Sequence, residues 1–314
     1  MSFPPIGDCW FLTGATACGK SALALPLAER LGAEILSLDS MAVYRGMDIG
    51  TAKPTADEQR RVPHHLIDLV EPGEEFSIAE YVAAAHRAVG DVIGRGRVAL
   101  FVGGTPLYLK ALLRGLFVGP AADWEFRRRM EAETAKFGDN HLHARLATVD
   151  AATAARLHPR DRRRIIRALE VFEQTGEPIS SLQGQFDRAR PAAECKCFVI
   201  ERPRDELTAR IDDRVDAMFA AGLVDETLRL LAAGHTLSRT AAQAVGYREV
   251  IEHLHGERDL AATVELVKLR TRQFSKRQMT WFRSLSECHT ISVSSADDAP
   301  QLVERLVAAG ESRQ

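Results

Sequence analysis

Residues 14–21 read GATACGKS, directly after an apolar run at residues 9–12 and directly before a helical pattern at residues 21–31. The spacing GxxxxGK[ST] between a strand and a helix leaves few folds open. The chain has to turn out of the strand, wrap successive backbone N–H groups around an anion, and enter a helix whose positive N-terminal end faces the same point. Gly14 and Gly19 permit the dihedrals, Lys20 adds a point charge, and the Ser21 hydroxyl can ligate Mg²⁺. Gly14, Ala15, Thr16, Ala17, Cys18, Gly19, Lys20 and Ser21 are therefore the candidate diphosphate loop, a P-loop. Its ordinary occupant is ATP or GTP, so a kinase or NTPase is the first reading. Cys18 sits inside the cradle, where helix-terminal N–H groups favour a thiolate, so it is either a site sensitive to alkylation or simply a variable loop position.

The pattern around this loop predicts an α/β fold. Short apolar runs at 9–12, 34–38 and 98–102 alternate with helical stretches at 21–31 and 77–93, the signature of a parallel sheet with crossover helices. From about 120 to 191 the pattern turns to arginine-rich helix, with no strand until 195–200. After Pro203 it is helical to about residue 285, with a last short strand near 290–293 and a frayed tail beyond Gly310. The expectation is a P-loop NTPase-like parallel sheet core, residues 1–119 and 196–314, carrying an inserted all-helical domain at residues 120–195.

Composition narrows the classes. A 314-residue chain that is 46% hydrophobic supports a packed core, and its net charge of −2 gives no global pull toward nucleic acid, so RNA binding would need basic residues gathered on one face. The five cysteines lack CxxC spacing and the ten histidines lack metal-ligand spacing, so neither zinc nor a disulfide framework is expected. With no leader pattern and no apolar run near the roughly 18 residues of a membrane span, the expectation is a cytoplasmic monomer without membrane contact.

In a doubly wound sheet, ligands lie beyond the carboxyl ends of the strands, which directs attention to Asp39-Ser40 and Gly103-Gly104-Thr105. A carboxylate beside a bound diphosphate can act as a general base, hold Mg²⁺ or cap a helix, and the glycine pair can be a plain turn. The wider strings are more specific. LDSMAVYRGMDIGTAKP at 38–54, PHHLID at 63–68, VGGT at 102–105, LHPRD at 157–161, RALE at 167–170, GYR at 246–248 and KRQMTW at 276–281 closely resemble the signature blocks of the tRNA dimethylallyltransferases (tRNA isopentenyltransferases) and span almost the whole chain.

The resemblance implies that the P-loop grips dimethylallyl diphosphate instead of ATP, and that the five-carbon group passes to N6 of adenosine 37, next to the anticodon of tRNA. It implies Asp39 as general base, Thr105 beside it, Arg214 and Lys20 as stabilisers of the leaving diphosphate, and Mg²⁺ at Ser21 as cofactor. The partner would be the tRNA anticodon stem-loop, whose target base has to leave its stack to react. Contacts to RNA are implied at Asp39, Ser40, Met41, Ala42, Thr105, Arg127, Arg163, Arg164, Ile165, Ile166, Arg167, Gln243, Gly246, Tyr247, Arg248, Lys276, Arg277, Gln278, Trp281 and Arg283.

Helical periodicity adds a reading of its own. At about 100° per residue, Arg163 and Arg167 share one face while Ile165, Leu169 and Phe172 share another. On the late helix Val267, Phe274, Trp281 and Leu285 form an apolar stripe, read as core, opposite a basic stripe of Arg272, Lys276 and Arg283. Ala15, Cys18 and Ala42 depart from residues common in the family. Three rivals stay open: a P-loop metabolite kinase, a prenyltransferase acting on free adenine nucleotides, and a non-catalytic RNA-binding protein.

Overall fold

The computed structural model describes residues 2–187, 189–232 and 236–312. Eight strands occur among them: β1 (Ser2–Phe3), β2 (Trp10–Gly14), β3 (Ala33–Leu38), β4 (His64–His65), β5 (Val98–Gly103), β6 (Leu116–Phe117), β7 (Lys196–Glu201) and β8 (His289–Ser292). Six of them form one sheet in the order β4-β3-β5-β2-β7-β8, and every pairing in it is parallel. β2 runs through the middle with all five residues buried, as a strand covered by helices on both faces requires. The order reverses about β2: β5 and β3 lie to one side and β7 and β8 to the other, which leaves a crevice at the carboxyl ends.

The chain divides into two compact units. One is Ile6–Leu113 with Ala189–Gln314 and holds this sheet; the other is Met1–Pro5 with Arg114–Arg188. The second is mainly helical, with a core of Phe126, Met130, Leu142, Leu146, Ile165 and Leu169, and it includes the small antiparallel pair β1 and β6.

Several elements differ from the sequence reading. The strands β1, β4 and β6 have two residues each, too few to show a period. A helix at Ala299–Glu311 also escaped it, though Leu302, Val303, Leu306 and Val307 pack into the sheet core at helical spacing. A side chain at Gly310 would come within 1.9 Å of the Trp10 ring, so this helix is seated closely on β2. The tail expected to fray beyond Gly310 continues as helix through Glu311; residues 313 and 314 lie outside the described residues. No helix among the described residues is long and apolar enough to cross a membrane.

Candidate active site at the carboxyl ends of the sheet

Three strand ends build the site. β2 ends at Gly14 and opens into the loop before the Lys20–Leu31 helix; β3 ends at Leu38, just before Asp39; β5 ends at Gly103, just before Gly104 and Thr105. Leu38 and Gly103 are register partners, as are Thr13 and Gly103, so hydrogen bonding along the sheet brings the three loops together. The strand-end glycines are needed for close approach. A Cβ on Gly103 would sit 2.2 Å from the Leu38 carbonyl oxygen, and one on Gly104 would sit 2.7 Å from Gln278 Nε2.

The loop has the expected shape of an anion cradle. Gly19 has φ of 105°, a value that L side chains rarely adopt, and Ala17 is held at φ of 61°. Lys20 Nζ donates to the carbonyls of Gly14 (2.9 Å) and Ala15 (2.7 Å), which keeps the ammonium folded over the loop. Cys18 is 1% exposed, which favours the variable loop position over a readily alkylated thiol.

Two guanidinium groups missed by sequence reasoning grip the same loop. Arg202 Nε donates to the Cys18 carbonyl (3.2 Å) and Arg210 Nε to the Ala17 carbonyl (2.9 Å). Arg202 directly follows β7, so the rule that pointed to Asp39 and Gly104 could have found it. Arg214, one helical turn beyond Arg210, is partly buried. Burial pulls its guanidinium below the usual arginine range, while the charges of Asp39 and the Cys18 thiol act in the opposite direction. The loop thus has Lys20, Arg202, Arg210 and Arg214 about it, and only Arg202 has a carboxylate partner among the described residues, Glu206 at 2.7 Å.

Asp39 is held by its own backbone turn. Its Oδ1 accepts from the N–H groups of Met41 (2.8 Å) and Ala42 (3.4 Å), while Oδ2 has no partner among the described residues. Thr105 is fixed beside it: its N–H donates to Leu38 O (3.1 Å) and its hydroxyl oxygen accepts from Ser40 N–H (3.1 Å). Near this end of the sheet Tyr81 and Tyr108 stack with centroids 3.8 Å apart. Burial raises both phenols, and the negative charge of Asp39 adds to the effect. The Ser21 hydroxyl is exposed at the start of its helix without a hydrogen bond among the described residues, so it is available as one metal ligand. No group of three or more His, Cys, Asp or Glu side chains among the described residues could hold a metal.

Comparison with known proteins gives the family of the chain. The family model described as IPP transferase matches residues 42–285, and an isopentenyl transferase model matches residues 7–69. The tRNA dimethylallyltransferase of Rhodopirellula baltica is 49% identical, covering 97% of this chain and 94% of its own length. The chain belongs to the IPP transferase family. The full-length tRNA isopentenylpyrophosphate transferase of Bacillus halodurans has a TM-score of 0.71 at 35% identity, with 98% of each chain covered. A eukaryotic dimethylallyltransferase solved acting on tRNA shares the fold, with a TM-score of 0.76 at 24% identity over 95% of this chain and 78% of its own.

In this IPP transferase, the residues expected to meet RNA lie in unlike surroundings. Arg163, Arg164, Gln243, Arg248, Lys276, Arg277 and Arg283 are exposed. Arg164 pairs with Asp161, Arg248 with Glu252, and Arg283 with Glu201. Ile165 and Ile166 are 1% and 5% exposed and pack into the core of the helical unit, so their side chains offer almost no contact surface. Arg127 and Arg167 both bind Glu170, whose side chain is fully buried: Arg127 through two hydrogen bonds of 2.8 Å and Arg167 through one of 2.6 Å. Burial alone would raise Glu170, but Arg127, Arg167 and the Asp123 N–H together bring its carboxyl below the usual range.

Tyr247 and Gln278 are also interior. Tyr247 donates to Glu226 (2.6 Å), and that carboxylate accepts from the backbone N–H groups of Asp48, Ile49 and Gly50, which pins the 48–50 turn to two helices. The stripe assignment on the Leu260–Phe282 helix needs correction. Of the predicted stripe Val267 and Leu285 are buried, at 2% and 4% exposure, but Phe274 is 38% exposed and Trp281 is partly exposed, while Ser275, Gln278, Met279 and Phe282 are buried, so toward its carboxyl end the packed face departs from the predicted one. Arg272 of the basic stripe is tied to Asp212. Trp281 instead lines an open groove of about 490 Å³ with Lys276, Arg277, Thr280 and Ser284.

Proposed function

We propose that this protein transfers the dimethylallyl group of dimethylallyl diphosphate to N6 of adenosine 37 in tRNA and releases diphosphate. The observation that carries this reading is that one parallel sheet brings to its carboxyl ends, on β2 and β3 with β5 between them, a cation-rich diphosphate cradle and a carboxylate whose second oxygen is uncommitted. Membership of the IPP transferase family supplies the donor and the acceptor.

The chemistry follows from the charges. The allylic C–O bond breaks and its electron pair departs with the diphosphate, where charge accumulates. Lys20, Arg210, Arg214 and the loop N–H groups stabilise that charge more in the transition state than in the ground state. The N6 lone pair bonds to the carbon, and N6 becomes acidic as it acquires positive charge. Asp39 Oδ2 accepts from the N6 amino group, orients it, and takes the proton after bond formation. The Asx turn at Oδ1 keeps the carboxylate from rotating away. Thr105 hydrogen-bonds at the same point. Ser21 would hold Mg²⁺, which when bound neutralises part of the leaving-group charge.

RNA is held by exposed arginine and lysine, with Arg163 and the groove at Lys276, Arg277 and Trp281 as contacts. The decisive experiment incubates the protein with Mg²⁺, unmodified tRNA and labelled dimethylallyl diphosphate. Mass gain on the adenosine beside the anticodon is expected. Phosphate transfer from ATP to a small acceptor, with indifference to isoprenoid diphosphate and RNA, would restore the kinase reading.

A further inference from the structure

Gln278 lies on the Leu260–Phe282 helix, is 4% exposed, and spends both ends of its carboxamide on the site. Its Oε1 accepts from Thr16 N–H of the diphosphate loop at 2.9 Å, and its Nε2 donates to the Gly104 carbonyl at 2.6 Å. Gly104 precedes Thr105, whose hydroxyl oxygen accepts from Ser40 N–H, next to Asp39. One neutral side chain therefore joins the loop that would hold the leaving group to the loop that would hold the base. We infer that Gln278 is a positioning residue, setting the distance between the diphosphate and the attacking amine, and is not an RNA contact. The inference rests on the prenyl-transfer reading for what the two loops do.

The physical case has three parts. Only a carboxamide of this length can accept at one end and donate at the other; a carboxylate cannot donate, and a thioether satisfies neither partner. Gly104 leaves room for the bridge, since a Cβ there would sit 2.7 Å from Nε2 and 3.3 Å from the Gly14 carbonyl oxygen. Displacement at carbon depends steeply on the separation of nucleophile and leaving group, and an error of about 1 Å costs on the order of 10²-fold in rate. A side chain that is 4% exposed and held at both ends presents almost no surface to RNA.

The test compares wild type with Gln278→Met, Gln278→Glu, Gly104→Ala and the double variant Gln278→Met/Gly104→Ala. Steady-state prenylation of unmodified tRNA, a tRNA binding titration and hydrogen exchange of the segment around Thr16 are measured on each. The single variants are expected to lower kcat by roughly 10²-fold, to leave tRNA Kd within about two-fold, and, for Gln278→Met, to speed exchange at Thr16. The double variant should cost no more than either single change, because both break the same bridge. If Gln278→Met fails to fold, Gly104→Ala and Gln278→Glu carry the decision. Weakened tRNA binding with unchanged kcat at saturating tRNA would make Gln278 an RNA contact and overturn the inference, as would full activity in the variants. Failure of the wild type to prenylate tRNA would instead overturn the functional reading, and the exchange data would still report whether the bridge orders the loop.

Discussion

Arginines around the P-loop of the sheet unit and arginines on the helices of the other unit do opposite things. In the sheet unit, Arg202 and Arg210 donate to P-loop carbonyls and Arg214 is a partly buried neighbour of Asp39, so positive charge is concentrated with little carboxylate to cancel it. In the helical unit, Arg127 and Arg167 are spent on the buried Glu170, and Arg162 and Arg164 pair with Asp139 and Asp161. Arg163 is exposed on the same helix with no ion pair among the described residues. Arginine therefore charges the site around the P-loop and braces the buried Glu170 in the helical unit, and the carboxylates brought near by folding make the difference.

This contrast predicts that variants around the P-loop change rate, that loss of the Glu170 brace changes stability, and that the unpaired Arg163 changes neither. The largest expected effect is at the base. Asp39→Asn keeps an oxygen for the Met41 and Ala42 N–H groups but removes the proton acceptor, and kcat should fall about 10²–10⁴-fold with an unchanged melting temperature. Wild-type turnover in this variant would remove Asp39 from the mechanism. Next is Arg214→Gln, expected to reduce kcat by roughly 10²–10³-fold, as for loss of one donor to a developing anion; single-turnover kinetics at saturating donor separates this from weaker binding.

Glu170→Ala tests the other region. It leaves Arg127 and Arg167 without their buried partner and should lower unfolding free energy by about 3–5 kcal/mol in urea titration. A loss below about 1 kcal/mol would mean that the pair is no brace. The same carboxyl gives a pH dependence. Its folded value lies below its unfolded one, so its stabilisation is present in full above the unfolded value and is lost as pH falls through the folded one. Wild type should lose stability on acidification below about pH 4 more steeply than Glu170→Gln does. The smallest effect belongs to Arg163→Ala. It should weaken tRNA binding modestly and reduce the salt slope by about one, with stability unchanged; an unaltered slope would leave Arg163 facing solvent only.

Much of the site is legible in the sequence because its parts are local. The P-loop is a contiguous string whose glycines, lysine and serine suit one anion, and the strand-end rule directs attention to Asp39 and Thr105, whose roles the family resemblance then implies. The same rule, applied at β7, leads to Arg202. Other residues cannot be read this way. Trp281 and Phe274 share a stripe on a helical wheel with the buried Val267 and Leu285, yet they are partly exposed or exposed, while Ser275, Gln278, Met279 and Phe282 are buried.

The sequence by itself determined the alternation of strand and helix, the anion loop and the identity of its charges, since each depends on residues a few positions apart whose backbone geometry is set by neighbours. Tertiary structure alone decided which polar groups are spent and which remain available. Gln278 meets Thr16 across 262 positions, and Glu170 meets Arg127 across 43. At such separations no local preference specifies the partner. A buried donor or acceptor takes whichever complement the packed helices bring within hydrogen-bonding reach, because leaving it unpaired costs about 1–3 kcal/mol.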